Sequence, residues 1–131
     1  MSQASDYLEN KLQDAIFNGG SISGITPRIA LFTSDPSDDG GGTEVTGTDY
    51  ARIDVSAAFP AASGTDGAIT NDQDITFATA GGAWGNVSHV AIFDAATGGN
   101  LLVYGALASA VDIQNGDIFK IPSGSFTCTV A

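Results

Sequence analysis

Two apolar runs, Val90-Ala91-Ile92-Phe93 and Leu101-Leu102-Val103-Tyr104, flank a turn segment from Asp94 to Asn100 that carries Gly98-Gly99. This pattern predicts a β-hairpin. Apolar residues stand at consecutive positions, so both faces of each strand are expected to be covered, which places the hairpin in the middle of a packed β structure. Upstream, Arg28 to Phe32 reads as a buried strand that begins directly after Pro27. Tyr50 to Phe59 alternates, with Ala51, Ile53, Val55, Ala57 and Phe59 on one face and Arg52, Asp54 and Ser56 on a wet or interface-forming face. Further short strands are expected at Ile75 to Phe77, Val111 to Ile113, Ile118 to Ile121 and Ser125 to Val130, separated by turn signals such as Asn115-Gly116 and Ser123-Gly124.

One segment carries a helical period instead. Leu8, Leu12, Ala15 and Ile16 share a face, Ser5 supplies an N-cap, and Asp6 and Glu9 suit the positive end of the helix dipole. Gly19-Gly20 stops it, giving a helix over about 5–18. With Tyr7 and Phe17 flanking the stripe, this helix has a single apolar side and must lie against its own sheet or a neighbouring subunit. The stretch Ser34 to Thr48 has no periodicity and combines Pro36, three adjacent glycines and four acids. It is expected to be exposed and mobile, and a loop of that length is a candidate contact element. The predicted architecture is mainly β: an antiparallel β-sandwich, jelly-roll-like, of seven to eight short strands with one N-terminal α-helix, forming one domain over residues 1–131.

Composition narrows the function classes. The 131 residues are 43% hydrophobic with 17 glycines, a profile of turn-rich globular β structure with one core. Fifteen acids, thirteen of them Asp, oppose only Lys11, Arg28, Arg52 and Lys120, for a net charge of −11. Nucleic acid and anionic membranes are thereby poor partners, since four scattered cations form no stripe against a polyanion. The chain has no apolar run near the ~20 residues of a membrane span, and its N-terminus lacks the pattern of a signal peptide, so synthesis in a cytosol is expected. The single cysteine, Cys128, cannot staple the fold, which leaves stability to the core or to neighbouring subunits.

Candidate chemistry is thin, and the chain is expected to be non-enzymatic and to need no cofactor. His89, the one histidine, shares its expected strand face with Val87, Ala91 and Phe93 and reads as structural. Cys128 falls between Phe126 and Val130 on the last strand, where a thiol behaves as a small apolar residue. No G-x-S-x-G elbow, phosphate loop or H-E-x-x-H zinc motif occurs. For calcium, the oxygen-rich positions are Asp38, Asp39 and Glu44 in the glycine-rich loop, with Asp72 and Asp74 flanking Gln73, although the spacing matches no EF-hand loop. Trp84 beside Gly81-Gly82 could stand at a rim and stack on a sugar, while the seven Phe are more simply core.

Four blocks carry a resemblance: YLENKL (Tyr7 to Leu12), IALFTSDP (Ile29 to Pro36), GTEVTGTDYAR (Gly42 to Arg52) and WGNVSHVAIFDAATGGNLLVYGAL (Trp84 to Leu107). In this order they resemble a family of small virion proteins of tailed bacteriophages, whose members are often labelled tail or tail-fibre proteins, and similar small β domains serve as capsid decoration or cement proteins. The resemblance implies a structural virion component, assembled in the bacterial host cytoplasm, whose partners are the major capsid protein or other virion proteins. A fibre shaft requires heptads, triplets or β-repeats, and the sequence has none. A compact acidic domain suits a capsid cement protein that clamps coat subunits from outside, with a tail, tail-fibre or baseplate adaptor as the alternative and a glycan- or receptor-binding domain below both. The expected contact residues are Tyr7, Leu8, Leu12 and Ile16 from the helix and Asp35, Asp38, Asp39 and Glu44 from the loop. A homo-oligomer, a trimer or another symmetric assembly, is expected to add stability.

Overall fold

The computed structural model describes residues 3–62 and 68–129. In chain order these form β1 (Gln3–Ala4), α1 (Asp6–Phe17), β2 (Arg28–Phe32), β3 (Ile53–Asp54), β4 (Ala68–Thr70), β5 (Ile75–Thr76), β6 (Gly85–Phe93), β7 (Leu101–Ile113), β8 (Lys120–Ile121) and β9 (Thr127–Thr129). The expected end of the last strand at Val130 lies outside the described residues. Five strands make an antiparallel sheet in the order β1-β7-β6-β2-β3, while β4-β9 and β5-β8 are separate two-stranded ladders. The mainly β, antiparallel architecture with one helix is as predicted. Among the described residues, no helix is long and apolar enough to cross a membrane.

The predicted hairpin is the spine. Leu31, Ala91 and Tyr104 show the register: Ala91 faces Ala30 on β2 and Tyr104 on β7, while Leu31 pairs with Val90. Ile29, Leu31, Val90, Ile92, Leu102 and Val103 point into the main core, where Ile75, Phe77, Phe119, Ile121 and Phe126 from the ladders and their flanks complete the second layer. The sandwich is therefore asymmetric, a full sheet on one side and two short ladders on the other. Ala30, Phe32, Ala91, Phe93, Leu101 and Tyr104 form a second cluster on the opposite face, with the Phe32 and Phe93 rings stacked at 5.9 Å. Both faces of the hairpin are covered, as its consecutive apolar positions require.

Two irregularities set which side chain faces which core. Ile92 pairs with Val103 but Phe93 with Leu101, so Leu102 is an extra residue that lets Leu102 and Val103 both reach the main core while Leu101 and Tyr104 reach the second. At the other end Val87 pairs with Val111 and His89 with Ala106, which leaves Leu107 to Ala110 opposite Ser88 alone. This bulge corrects the predicted His89 face: Val87 belongs to the main core, while Ala91 and Phe93 lie with the second cluster. It also makes Val111 to Ile113 the end of β7 rather than a separate strand.

Two further expectations are corrected. The alternating stretch Tyr50 to Phe59 pairs only at Ile53–Asp54. Asp54 Oδ1 accepts the Ser56 backbone N–H at 2.8 Å, and the Ala58 N–H then closes a turn on the Val55 carbonyl at 3.0 Å. An aspartate that bonds the chain two residues on competes with the ladder and ends it. Val55 and Ala58 are buried, whereas Ala51 and Ala57 are exposed. The loop from Ser34 to Thr48 is folded back onto the body rather than free: Pro36 is buried, Val45 joins the main core, Asp38 accepts from Tyr104 of the second cluster, the Thr33 N–H reaches the Thr43 carbonyl at 2.9 Å, and the Val45 N–H reaches the Leu31 carbonyl at 2.9 Å. Glycine permits the fold-back, because a Cβ on Gly42 would stand 2.7 Å from the Asp35 carbonyl oxygen.

Candidate functional site

The helix splits its apolar stripe between two surroundings. Ser5 caps it, accepting the Leu8 N–H at 3.2 Å, and the same hydroxyl donates to the Leu101 carbonyl, which ties the helix start to β7. Tyr7 and Leu8 consequently pack on the main core, and Leu12 is half-buried. One turn further the stripe leaves the body of the protein: Ile16 is 70% exposed and Phe17 79%. The four predicted helix contacts are thus not one outward face, because Tyr7 and Leu8 serve the chain's own core and Ile16 does not.

The four loop acids do not converge either. Asp38 accepts from the Tyr104 hydroxyl, and this bond, ahead of burial and the nearby Asp38, Asp35 and Asp6 charges, pushes the Tyr104 hydroxyl up to about 12. The Asp38 carbonyl also accepts the Asp6 N–H at 3.2 Å, which joins the loop to the first turn of α1. Asp39 accepts from Ser37 Oγ at 2.7 Å and the Gly41 N–H at 3.0 Å, bonds that hold its carboxyl below the ordinary aspartate value. The Asp35 carboxylate is exposed and accepts the Ser37 N–H at 2.9 Å. Among the described residues no group of three or more His, Cys, Asp or Glu stands close enough to hold a metal.

Glu44 enters a buried clasp that sequence reasoning missed. Arg52, expected on a wet face, is only 6% exposed over its side chain. Its Nη2 and Nε donate to the Glu44 carboxylate at 2.7 and 2.8 Å, and its Nη1 donates to the Ala95 and Gly98 carbonyls at 2.9 and 2.8 Å. The guanidinium lies 3.9 Å from the Phe93 ring centroid. Tyr50 donates to Glu44 at 2.7 Å while its oxygen accepts the Leu31 N–H at 3.0 Å. Partial burial pushes the Glu44 carboxyl up, but the hydrogen bonds from Arg52 and Tyr50 and the Arg52 charge outweigh it and hold the group below its ordinary value. Burial first, then Glu44, drives the Tyr50 hydroxyl upward. One cation thereby locks the loop, β3 and the hairpin tip together. The available signal was an arginine inside an apolar alternation in a chain with few cations.

The remaining candidates are structural in their surroundings. His89 is half-buried, its Nδ1 2.8 Å from Ser88 Oγ. Trp84 is buried rather than at a rim: its indole N–H donates to the Thr48 carbonyl at 2.9 Å, and Tyr50 and Phe77 meet it edge to face at 5.4 and 6.5 Å. Cys128 is half-buried on β9 opposite Ile69. An apolar cleft of about 390 Å³ runs along the bulge of β7, floored by Val90, Phe119 and Phe126 and edged by Ala108, Val111 and Lys120. Among the described residues, the accessible surface includes an exposed helix end and an apolar cleft, both suited to contact. The family described as podophage GP4 fiber I protein gp80 matches residues 3–129. No curated protein matches the chain.

Proposed function

The chain belongs to the podophage GP4 fiber I protein gp80 family, a family of small tailed-phage virion proteins, and on that premise we propose that it is a non-enzymatic structural subunit of a phage fibre, binding other virion proteins. The observation that carries this reading is the family match over nearly the whole chain. The fold supports a globular piece of a fibre, such as a knob or adaptor, rather than a length of shaft, because a shaft repeats one unit along an axis and this chain packs unlike elements around one main core. The polar groups near the second cluster are committed to each other, Asp38 to Tyr104 and Glu44 to Arg52 and Tyr50, which suits a stable building block. A homo-oligomer, a trimer or another symmetric assembly, is the state proposed for it.

The capsid cement role expected from compactness and charge makes a different prediction on the particle, so one experiment separates the two. Purified protein is added to particles that lack it and, separately, to isolated capsids, and the added density is located by electron microscopy. Density on fibres or at their attachment to the tail supports the proposal. Density at regular positions of the coat lattice overturns it in favour of cement, and binding to glycans alone overturns it in favour of a receptor-binding domain.

A further inference from the structure

We propose that an extended segment of another virion protein adds to β7 as an edge strand, in line with β1 and over the apolar cleft. The proposal rests on the fibre-subunit reading only for the source of that segment. β1 shows that this edge accepts a strand: Gln3 and Ala4 pair antiparallel with Tyr104 and Val103, and the Ser5 N–H reaches the Leu102 carbonyl at 2.8 Å. The backbone groups of alternate residues, Leu102, Tyr104 and then Ala106, therefore point outward from the sheet, while Val103 and Gly105 lie opposite Ile92 and Val90 of β6. Among the described residues β1 is the one strand on that edge, and it stops opposite Tyr104, whereas β7 runs on to Ile113. Natural sheet edges are guarded by a charge or a proline. The run Gly105 to Val111 carries neither, and Ala106, Ala108, Ser109, Ala110 and Val111 are exposed.

What lies beside the edge selects an extended chain. β1 also touches β9, so it fills the gap between the sheet and the second layer. The cleft of about 390 Å³ continues that gap: Gly105 to Ser109 form one wall, Phe119 to Pro122 and Ser125 to Thr127 the other, and the core residues Val90 and Phe126 floor it. A strand edge on one side and an apolar floor below call for a segment that offers both, main-chain groups along its edge and an apolar side chain at every second position. A helix satisfies its own backbone groups and leaves those of β7 unpaired. Charge sets the rest of the chemistry, since a net −11 disfavours an acidic segment. Past Val111 a further groove of about 290 Å³ is lined by the exposed Ile118 and by Asp117, with Asp112 between its lining residues Val111 and Ile113. Both acids are exposed, and neither has a cation within ion-pair reach among the described residues. A strand antiparallel to β7 brings its N-terminal end to these acids, so the segment carries a basic residue there and aliphatic residues at alternate positions behind it.

The test uses the whole chain and fluorescein-labelled synthetic peptides read by anisotropy. The first peptide has two lysines followed by alternating valine and threonine, the second has two glutamates in place of the lysines, and the third is the first with its backbone N–H groups methylated. The wild type is expected to bind the first at least about tenfold more tightly than either of the others. Ala108→Phe, which fills the cleft, should weaken that binding at least about tenfold. Asp112→Lys should remove the preference for lysine over glutamate, with circular dichroism confirming that both variants are folded. Should Ala108→Phe misfold, Asp112→Lys and the methylated peptide still decide the matter. Absence of binding by the wild type overturns the proposal, as do folded variants that bind as the wild type does. Equal binding of the methylated peptide overturns it in favour of apolar side chains alone, and a wild type that takes no peptide but doubles its mass on concentration overturns it in favour of a second copy. These measurements need no particle, whereas the fibre reading fails by location on the particle, so the two failures are distinguishable.

Discussion

Replacing Arg52 by alanine tests the clasp most directly. The guanidinium makes two short bonds to Glu44 and two to backbone carbonyls at the hairpin tip, and its side chain is 6% exposed. Removing one member of a buried pair strands the other and costs about 3–5 kcal/mol. Glu44 is 25% exposed, so water rescues part of its charge and lowers that contribution to about 2–3 kcal/mol. The lost carbonyl bonds and the contact with Phe93 add about 1–2 kcal/mol, for a total of about 4 kcal/mol. Against a domain stability of roughly 5–15 kcal/mol, that is a large displacement of the urea midpoint, read by circular dichroism at neutral pH with the slope unchanged. Glu44→Gln keeps the shape and is expected to cost about 2 kcal/mol. The double variant Glu44→Leu/Arg52→Met strands no charge, so it should be more stable than the sum of the single variants by about 2 kcal/mol. Because the folded-state carboxyl of Glu44 sits below its ordinary value of 4.5, its stabilisation is present above that pH and lost as pH falls through the folded value. The gap between wild type and Glu44→Gln should therefore close in acid. A cost below about 1 kcal/mol for Arg52→Ala, or strict additivity in the double variant, would refute the assignment of the clasp as a buried, coupled unit.

Ser5→Ala removes the N-cap bond to Leu8 and the bond to the Leu101 carbonyl, and thermal unfolding should register a loss of about 1–2 kcal/mol. Trp84, the single tryptophan, should emit as a buried indole and resist iodide quenching, and Trp84→Phe should cost about 1 kcal/mol by removing one of the two donors to the Thr48 carbonyl, the Gly81 N–H at 3.1 Å remaining. Gly47→Ala places a Cβ 2.4 Å from Trp84 Cδ1 and should destabilise by about 1–3 kcal/mol in urea titration. Millimolar calcium should leave the melting temperature unchanged and give no titration heat, since Asp38, Asp39 and Glu44 each spend their oxygens on a different partner.

The hairpin and β2 were legible because consecutive apolar residues on a short run have few ways to be buried, and the helix because Ser5, the apolar stripe and Gly19-Gly20 agree on one element. The fold-back of the Ser34 to Thr48 loop was not, since a stretch with only Pro36 and Val45 as buried anchors carries no period, and its position depends on β2 already being in place. The extra residue at Leu102 and the four-residue excursion at Leu107 to Ala110 were equally hidden: a bulge changes which face a side chain takes without changing any local propensity. The one local signal for a buried Arg52, an arginine inside an apolar alternation, does not tell its partners, because the carbonyls of Ala95 and Gly98 lie more than forty positions on, at the tip of the hairpin. Of the predicted contact residues, Ile16 stays outside because the cap at Ser5 anchors the helix by its first turn, which draws Tyr7 and Leu8 inward and carries the last turn past the sheet.

The fate of the four cations argues for what kind of contact this surface can make. Arg52 is closed in the clasp, Lys120 reaches Asp74, Lys11 sits 5.7 Å from the Tyr7 ring centroid, and Arg28 stands across the ladder from Asp54. Arg52, Lys120 and Lys11 are engaged close to home, the Arg28 Nε is buried without a hydrogen-bond partner, and the acids Asp35, Asp38 and Asp39 remain on the outside of the loop. A surface with that surplus repels copies of itself and other acidic partners over about a Debye length, so electrostatic attraction does not gather identical subunits. A contact with any acidic partner would therefore depend on short-range apolar surface that the acids leave clear, such as the last turn of α1, where Ile16 and Phe17 are exposed.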